Sequence, residues 1–117
     1  MPKKFIQSFR YARLGAAHSL QTERNILIHF VIGLLVLALA VYLKVSPVEL
    51  AVIVLTITLV IVAEMINTAI EEAVDLVKPE RHPLAALAKN IAAGAVLTAA
   101  IGSIAVGLLI FIPRLMR

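Results

Sequence analysis

Three apolar runs, 26–43, 48–62 and 91–112, are set off by short polar breaks along the chain. Ile26–Leu43 is close to the shortest helix that spans a hydrocarbon core, which takes roughly 20 residues for about 30 Å. Ser46-Pro47-Val48-Glu49 has the form of a helix start, with a capping serine, proline at the first helical position and an S-x-x-E box. From there helical spacing continues past the apolar run to Val77, where Lys78-Pro79 stops it. Residues 47–77 at 1.5 Å each give a helix of roughly 45 Å, so its end protrudes from the membrane core. After the polar loop Lys78–His82, a third helix is expected over 84–112, ended by Pro113 and Arg114. Gly94, Gly102, Gly107 and many alanines suit that helix to close helix–helix contact.

The second helix carries acid into its own end. Glu64, Asn67, Glu71 and Asp75 are three, four and four residues apart, which puts them on one narrow stripe. Counted from Pro47, Glu64 lies roughly 25 Å along the axis, near the acyl–headgroup boundary, and Glu71 about 10 Å further on. Carboxylates in that position are costly beside lipid and are expected to face protein, water or a metal ion.

The segment before the first run holds Lys3, Lys4, Arg10, Arg13 and Arg24 against one acid, Glu23. Apolar residues recur in it at Phe5, Phe9, Ala12, Ala16 and Leu20, the spacing of a basic amphipathic helix over about 2–25 that lies on a membrane surface. No small-residue cleavage site follows the first run, which is therefore expected to be a retained span and not a signal peptide. The fold expected is an all-α membrane protein of one domain, 1–117, with a surface helix and three spans (26–43, 47–77 and 84–112).

Composition supports that reading. The mean hydropathy is +1.01 and 62% of the 117 residues are hydrophobic, more than a soluble domain of this size can cover with polar surface. There is no cysteine, so disulfides and thiolate metal sites are excluded. The net charge is +4, and its placement is more informative than its size. Eight of the eleven cations lie before the first span or in 78–89, and three (Lys44, Arg114, Arg117) lie on the opposite side. The cation bias places the N-terminus and the second loop in the cytoplasm.

Around that face gather Glu23, Arg24, Glu64, Glu71, Glu72, Asp75, Glu80, Arg81, His82 and Lys89. Carboxylates converging from different helices make a hard-oxygen site suited to Mg²⁺, and a nearby lysine suits a phosphate. Glu64, at the depth of a lipid hydroxyl, suits a general base. The plainer reading is a solvated helix end or an ion-pair network, and Glu72, off the stripe, fits it. His29, one turn inside the first span, reads as a hydrogen-bonded packing residue. No Walker loop, kinase glycine loop, HExxH, GxSxG or nucleic-acid motif is present. Two other functions fit the acid stripe: a small proton-coupled exporter using Glu64, and a non-catalytic membrane subunit.

The run Glu64-Met65-Ile66-Asn67-Thr68-Ala69-Ile70-Glu71, followed by Asp75, has the pattern E-x-x-N-[ST]-A-I-E-x-x-x-D. Phe9-Arg10-Tyr11-Ala12, Gly15, Glu23-Arg24-Asn25 with Ile28-His29, and Ala88-Lys89-Asn90 with Ala93-Gly94 accompany it. On these residues the chain resembles the prokaryotic membrane lipid kinases, diacylglycerol kinase and undecaprenol kinase. The resemblance implies a homotrimer in the bacterial inner membrane, with active sites between neighbours at the cytoplasmic interface. It implies transfer of the ATP γ-phosphoryl group to a lipid hydroxyl with Mg²⁺, and no nucleic-acid partner. By position, Glu64 would be the general base, with Asn67 and Asp75 orienting the site and Glu23 and Glu71 as metal ligands. Tyr11, Glu80, Arg81, His82, Lys89 and Asn90 would contact nucleotide; Arg10, Gly15 and Glu64 would contact lipid. Asn90 departs from the family's aspartate, keeping its size but losing its charge. The E-R-N-x-x-I-H stretch leans toward the undecaprenol type.

Overall fold

A computed structural model describes residues 2–117 as four helices: α1 (Pro2–Thr22), α2 (Arg24–Tyr42), α3 (Pro47–Val77) and α4 (Pro83–Leu115). α2, α3 and α4 are each long and apolar enough to cross a membrane. α3 is the central element and packs on both α2 and α4, while α1 packs on α2. No residue of α1 is buried, and Phe5 and Phe9 are exposed, as a helix laid on a surface requires.

The first boundary falls three residues earlier than expected. Glu23 is extended (φ −100°, ψ 106°) and separates α1 from α2, although Glu23 N–H still bonds Ser19 C=O at 2.8 Å. Its carboxylate makes no capping bond, so the break comes at the backbone and leaves the side chain uncommitted.

α2 ends in a Schellman arrangement. Val45 N–H bonds Ala40 C=O at 3.2 Å, Lys44 N–H bonds Val41 C=O at 3.1 Å, and Lys44 has φ 56°. The capping box at α3 forms as its spacing indicates: Glu49 N–H donates to Ser46 Oγ at 3.1 Å, and Ser46 N–H to Glu49 Oε1 at 3.0 Å. Glu49 also pairs with Arg114 of α4, whose guanidinium donates to Lys44 C=O at 3.2 Å. Beneath this clamp lies the small apolar core of Ala40, Ile53 and Ile110, flanked by Val36, Ile57 and Phe111.

α4 does not stop at Pro113 but continues to Leu115. A proline this near a C-terminus forfeits a single intrahelical bond, and Arg114 is held from outside the helix by Glu49 and Lys44. The start of α4 is at Pro83, capped by His82.

The close helix approach within the chain is at Gly33 of α2, not at the α4 glycines. A Cβ at Gly33 would meet Ile57 Cγ2 at 2.7 Å, whereas one at Gly94, Gly102 or Gly107 would meet nothing within 4 Å. α4 therefore keeps its small-residue faces open within one chain. Gly33→Ala should force α2 from α3 and cost about 1–3 kcal/mol. Adding Ile57→Ala should recover part of that loss, so thermal unfolding in detergent should show the two substitutions to be non-additive.

Candidate functional site

One stripe of α3 runs the length of the site. Ile53 and Val60 bury its apolar half against the neighbouring helices, and Glu64, one turn on, continues the same line. Glu64 is 7% exposed, a charged residue buried in the protein and not turned to lipid. Its Oε1 lies 3.2 Å from His29 Nε2 on α2. The packing histidine of the sequence reading is thus the partner of the candidate base. Periodicity gave no sign of the pairing, because it depends on how α2 is rotated against α3.

A turn further, Asn67 Nδ2 donates to Glu71 Oε1 at 3.2 Å. Asn67 Oδ1 is buried without a partner. An acceptor left unsatisfied in this way carries a desolvation cost and is ready to receive a donor or a cation. Further still, Asp75 Oδ1 pairs with Lys89 Nζ of α4. The stripe Glu64–Asn67–Glu71–Asp75 therefore forms as its spacing indicates, and among the described residues Asn67 Oδ1 is its one buried polar side-chain atom without a partner.

The α3–α4 connection frames an open cleft of about 500 Å³ lined by Asp75, Lys78, Glu80, Arg81, His82 and Lys89 among others. This brings together four of the six residues assigned to nucleotide: Glu80, Arg81, His82 and Lys89. Tyr11 and Asn90 are exposed and do not line it. His82 Nδ1 accepts the Leu84 N–H at 3.1 Å, which caps α4 and fixes the ring at the cleft wall. Arg10 and Gly15, assigned to lipid, lie on the exposed α1. Glu23 is half-buried at the α1–α2 break.

No group of three or more His, Asp or Glu side chains is placed to share a metal ion among the described residues. Glu23 and Glu71 offer at most two carboxylates from one chain. That number suits Mg²⁺, which keeps several waters and takes one or two carboxylates beside substrate phosphates.

A second cavity, about 200 Å³, lies between α2, α3 and α4. His29, Gly33, Thr56, Ser103 and Phe111 are in its wall, so His29 borders both Glu64 and this chamber.

A family profile described as prokaryotic diacylglycerol kinase matches residues 10–111. The chain is 41% identical over 112 residues to an undecaprenol kinase of Bacillus subtilis, covering 96% of this chain and 91% of that protein. It is 44% identical over 110 residues to a diacylglycerol kinase of Synechocystis sp., covering 93% of this chain and 63% of that protein. It therefore spans less than two thirds of the cyanobacterial relative. A diacylglycerol kinase of Helicobacter pylori is 32% identical over 93 residues, covering 80% of this chain and 73% of its own.

The loop has its own electrostatics. Glu80 is held below the ordinary carboxylate range, first by its own backbone N–H and then by Lys78, whose Nζ is 3.1 Å away. A carboxylate lowered on folding adds stability at pH values above its unfolded range, and that contribution is lost as pH falls through the lowered value. Carboxyl ¹³C titration in detergent micelles should give Glu80 a midpoint below that of an unperturbed glutamate. Lys78→Gln should raise it part of the way, since the backbone bond remains.

Proposed function

The chain belongs to the prokaryotic diacylglycerol kinase family, and from that premise we propose that it transfers the γ-phosphoryl group of ATP to the hydroxyl of a membrane lipid at the cytoplasmic face of the bacterial inner membrane. Undecaprenol is the favoured acceptor, with diacylglycerol second. The Bacillus subtilis undecaprenol kinase is the relative whose length this chain nearly fills. The N-terminus is cytoplasmic by the cation bias.

The observation that carries the reading is Glu64, a buried carboxylate one turn from the unsatisfied Asn67 oxygen and two turns from Glu71, on the helix that leads to the cleft. Glu64 takes the proton of the lipid hydroxyl as that oxygen bonds to the γ-phosphorus. The bond from the γ-phosphorus to the bridging oxygen breaks, and ADP leaves. Such transfers need positioning and charge neutralisation more than covalent chemistry. Arg81, His82 and Lys89 in the cleft wall supply donors for nucleotide, and Lys89 exchanges Asp75 for phosphate when nucleotide enters. Arg10 and Gly15 on α1 meet the lipid.

Glu71, Asn67 Oδ1 and Glu23 fit Mg²⁺, because all are oxygen donors and one is an orphaned buried acceptor. Held by these residues, Mg²⁺ would supply charge neutralisation on the phosphate oxygens. Phosphate, water and a neighbouring copy in a homotrimer would supply the remaining oxygens. The open faces of α4 leave room for such a neighbour.

Radiolabelled ATP, supplied to purified protein with undecaprenol and diacylglycerol in parallel, tests the reading. Label should reach undecaprenol faster than diacylglycerol, and chelation should stop it until Mg²⁺ is returned. Glu64→Gln should lower kcat by about 10²–10⁴-fold, the range of a lost general base. Glu71→Gln should abolish turnover at ordinary Mg²⁺. Label on neither lipid would refute the proposal.

A further inference from the structure

A buried carboxylate inside a spanning helix needs a donor from another element. Among the described residues the one basic side chain within ion-pair distance of Glu64 is His29, whose Nε2 lies 3.2 Å from Glu64 Oε1. The other polar groups of the site are engaged elsewhere: the Asn67 amide with Glu71, and Lys89 with Asp75.

The position of His29 is set by packing. It lies on the α3-facing stripe of α2, between Ile26, which is fully buried, and Gly33, which is buried against Ile57. Ile26 is three residues before it and Gly33 four after, so the ring is held on one helical face with a buried residue about a turn away on each side. One edge of the ring meets Glu64, while another borders the chamber between α2, α3 and α4. A histidine kept only for packing would be enclosed by apolar neighbours; this one joins a charged group to open space.

We propose that His29 is a positioning residue for the transfer reaction. Its Nε2–H holds Glu64 Oε1, fixes the carboxylate in one rotamer and leaves the second oxygen to meet the lipid hydroxyl. This role rests on Glu64 being the base, as set out above. The ring donates throughout the reaction and takes no proton; its effect is on where Glu64 sits when the hydroxyl arrives, the kind of alignment whose loss costs on the order of 10–100-fold.

The test uses the full chain in detergent with lipid and ATP, comparing His29→Leu, His29→Gln and Glu64→Gln. His29→Leu, which fills the space without a donor, should lower kcat about 10–100-fold while KM for ATP stays within twofold. His29→Gln, which restores an N–H, should recover most of the loss. The ¹⁵N shift of His29 Nε2 should move in Glu64→Gln, a readout of the contact that does not depend on turnover. Thermal unfolding of each variant shows whether the bundle is intact. Wild-type kcat in His29→Leu with loss in Glu64→Gln overturns the positioning role alone. Full turnover in Glu64→Gln removes the base and the positioning role together. An unmoved ¹⁵N shift, or equal losses in His29→Gln and His29→Leu that follow their melting temperatures, also overturns it.

Discussion

A charge that must live inside a membrane helix governs the arrangement of the whole chain. Left against acyl chains, the Glu64 carboxylate would cost several kcal/mol or lose its charge. The cost is avoided by rotating α3 so that Glu64 follows Ile53 and Val60 on the buried line. That rotation has consequences on α2. A partner must come from α2 at the same depth, and His29 Nε2 lies 3.2 Å from Glu64 Oε1. For His29 to reach, the two helix backbones must lie close, and the missing side chain at Gly33 lets Ile57 in. Acid, partner and glycine are thus one packing solution, with α2 held antiparallel to α3 by the loop 43–46.

The two ends of the bundle have opposite character. At the Ser46 end, the capping box, the Glu49–Arg114 pair and the bond from Arg114 to Lys44 C=O tie three helices together over an apolar core. At the Val77 end the helices are joined by a short polar loop around a cleft, and the ion pairs there are exposed. Surface pairs of that kind contribute little to stability and are readily exchanged for a ligand. Rigidity at the first end lets the second be loose without the spans losing register. Proteins commonly put binding groups on the low-stability part of a well-anchored frame.

Much of this was legible in the residues because it follows from period and local chemistry. The 3.6-residue repeat placed Glu64, Asn67, Glu71 and Asp75 on one face, and Ser46 with Glu49 marked the start of α3 to the residue. Lys78-Pro79 marked its end. What escaped was set by relations between helices. The partner of Glu64 depends on the rotation of α2, and nothing in the spacing of α2 distinguishes His29 as a packing residue from His29 as a donor. The tight glycine proved to be the single one on α2 and not the three on α4, since only contact geometry separates a used small residue from an unused one. The break at Glu23 and the passage of α4 through Pro113 were missed for a related reason. In each case groups distant in sequence, or the backbone alone, override the local rule.

The same distinction explains why the site is complete in some respects and open in others within one chain. Contacts between α3 and its own neighbours satisfy the deep part of the stripe, where water is absent and an unpaired group is most costly. Nearer the polar end the demand relaxes, and there the chain leaves Asn67 Oδ1 without a partner and the Glu23 carboxylate without a capping bond. Polar groups left open at the depth of the headgroups are tolerable only if something supplied from outside the helix, whether water, cation, phosphate or a second copy, satisfies them. The gradient along α3 from sealed to open is therefore a physical basis for a site that is closed at its deep end and accessible at its polar end.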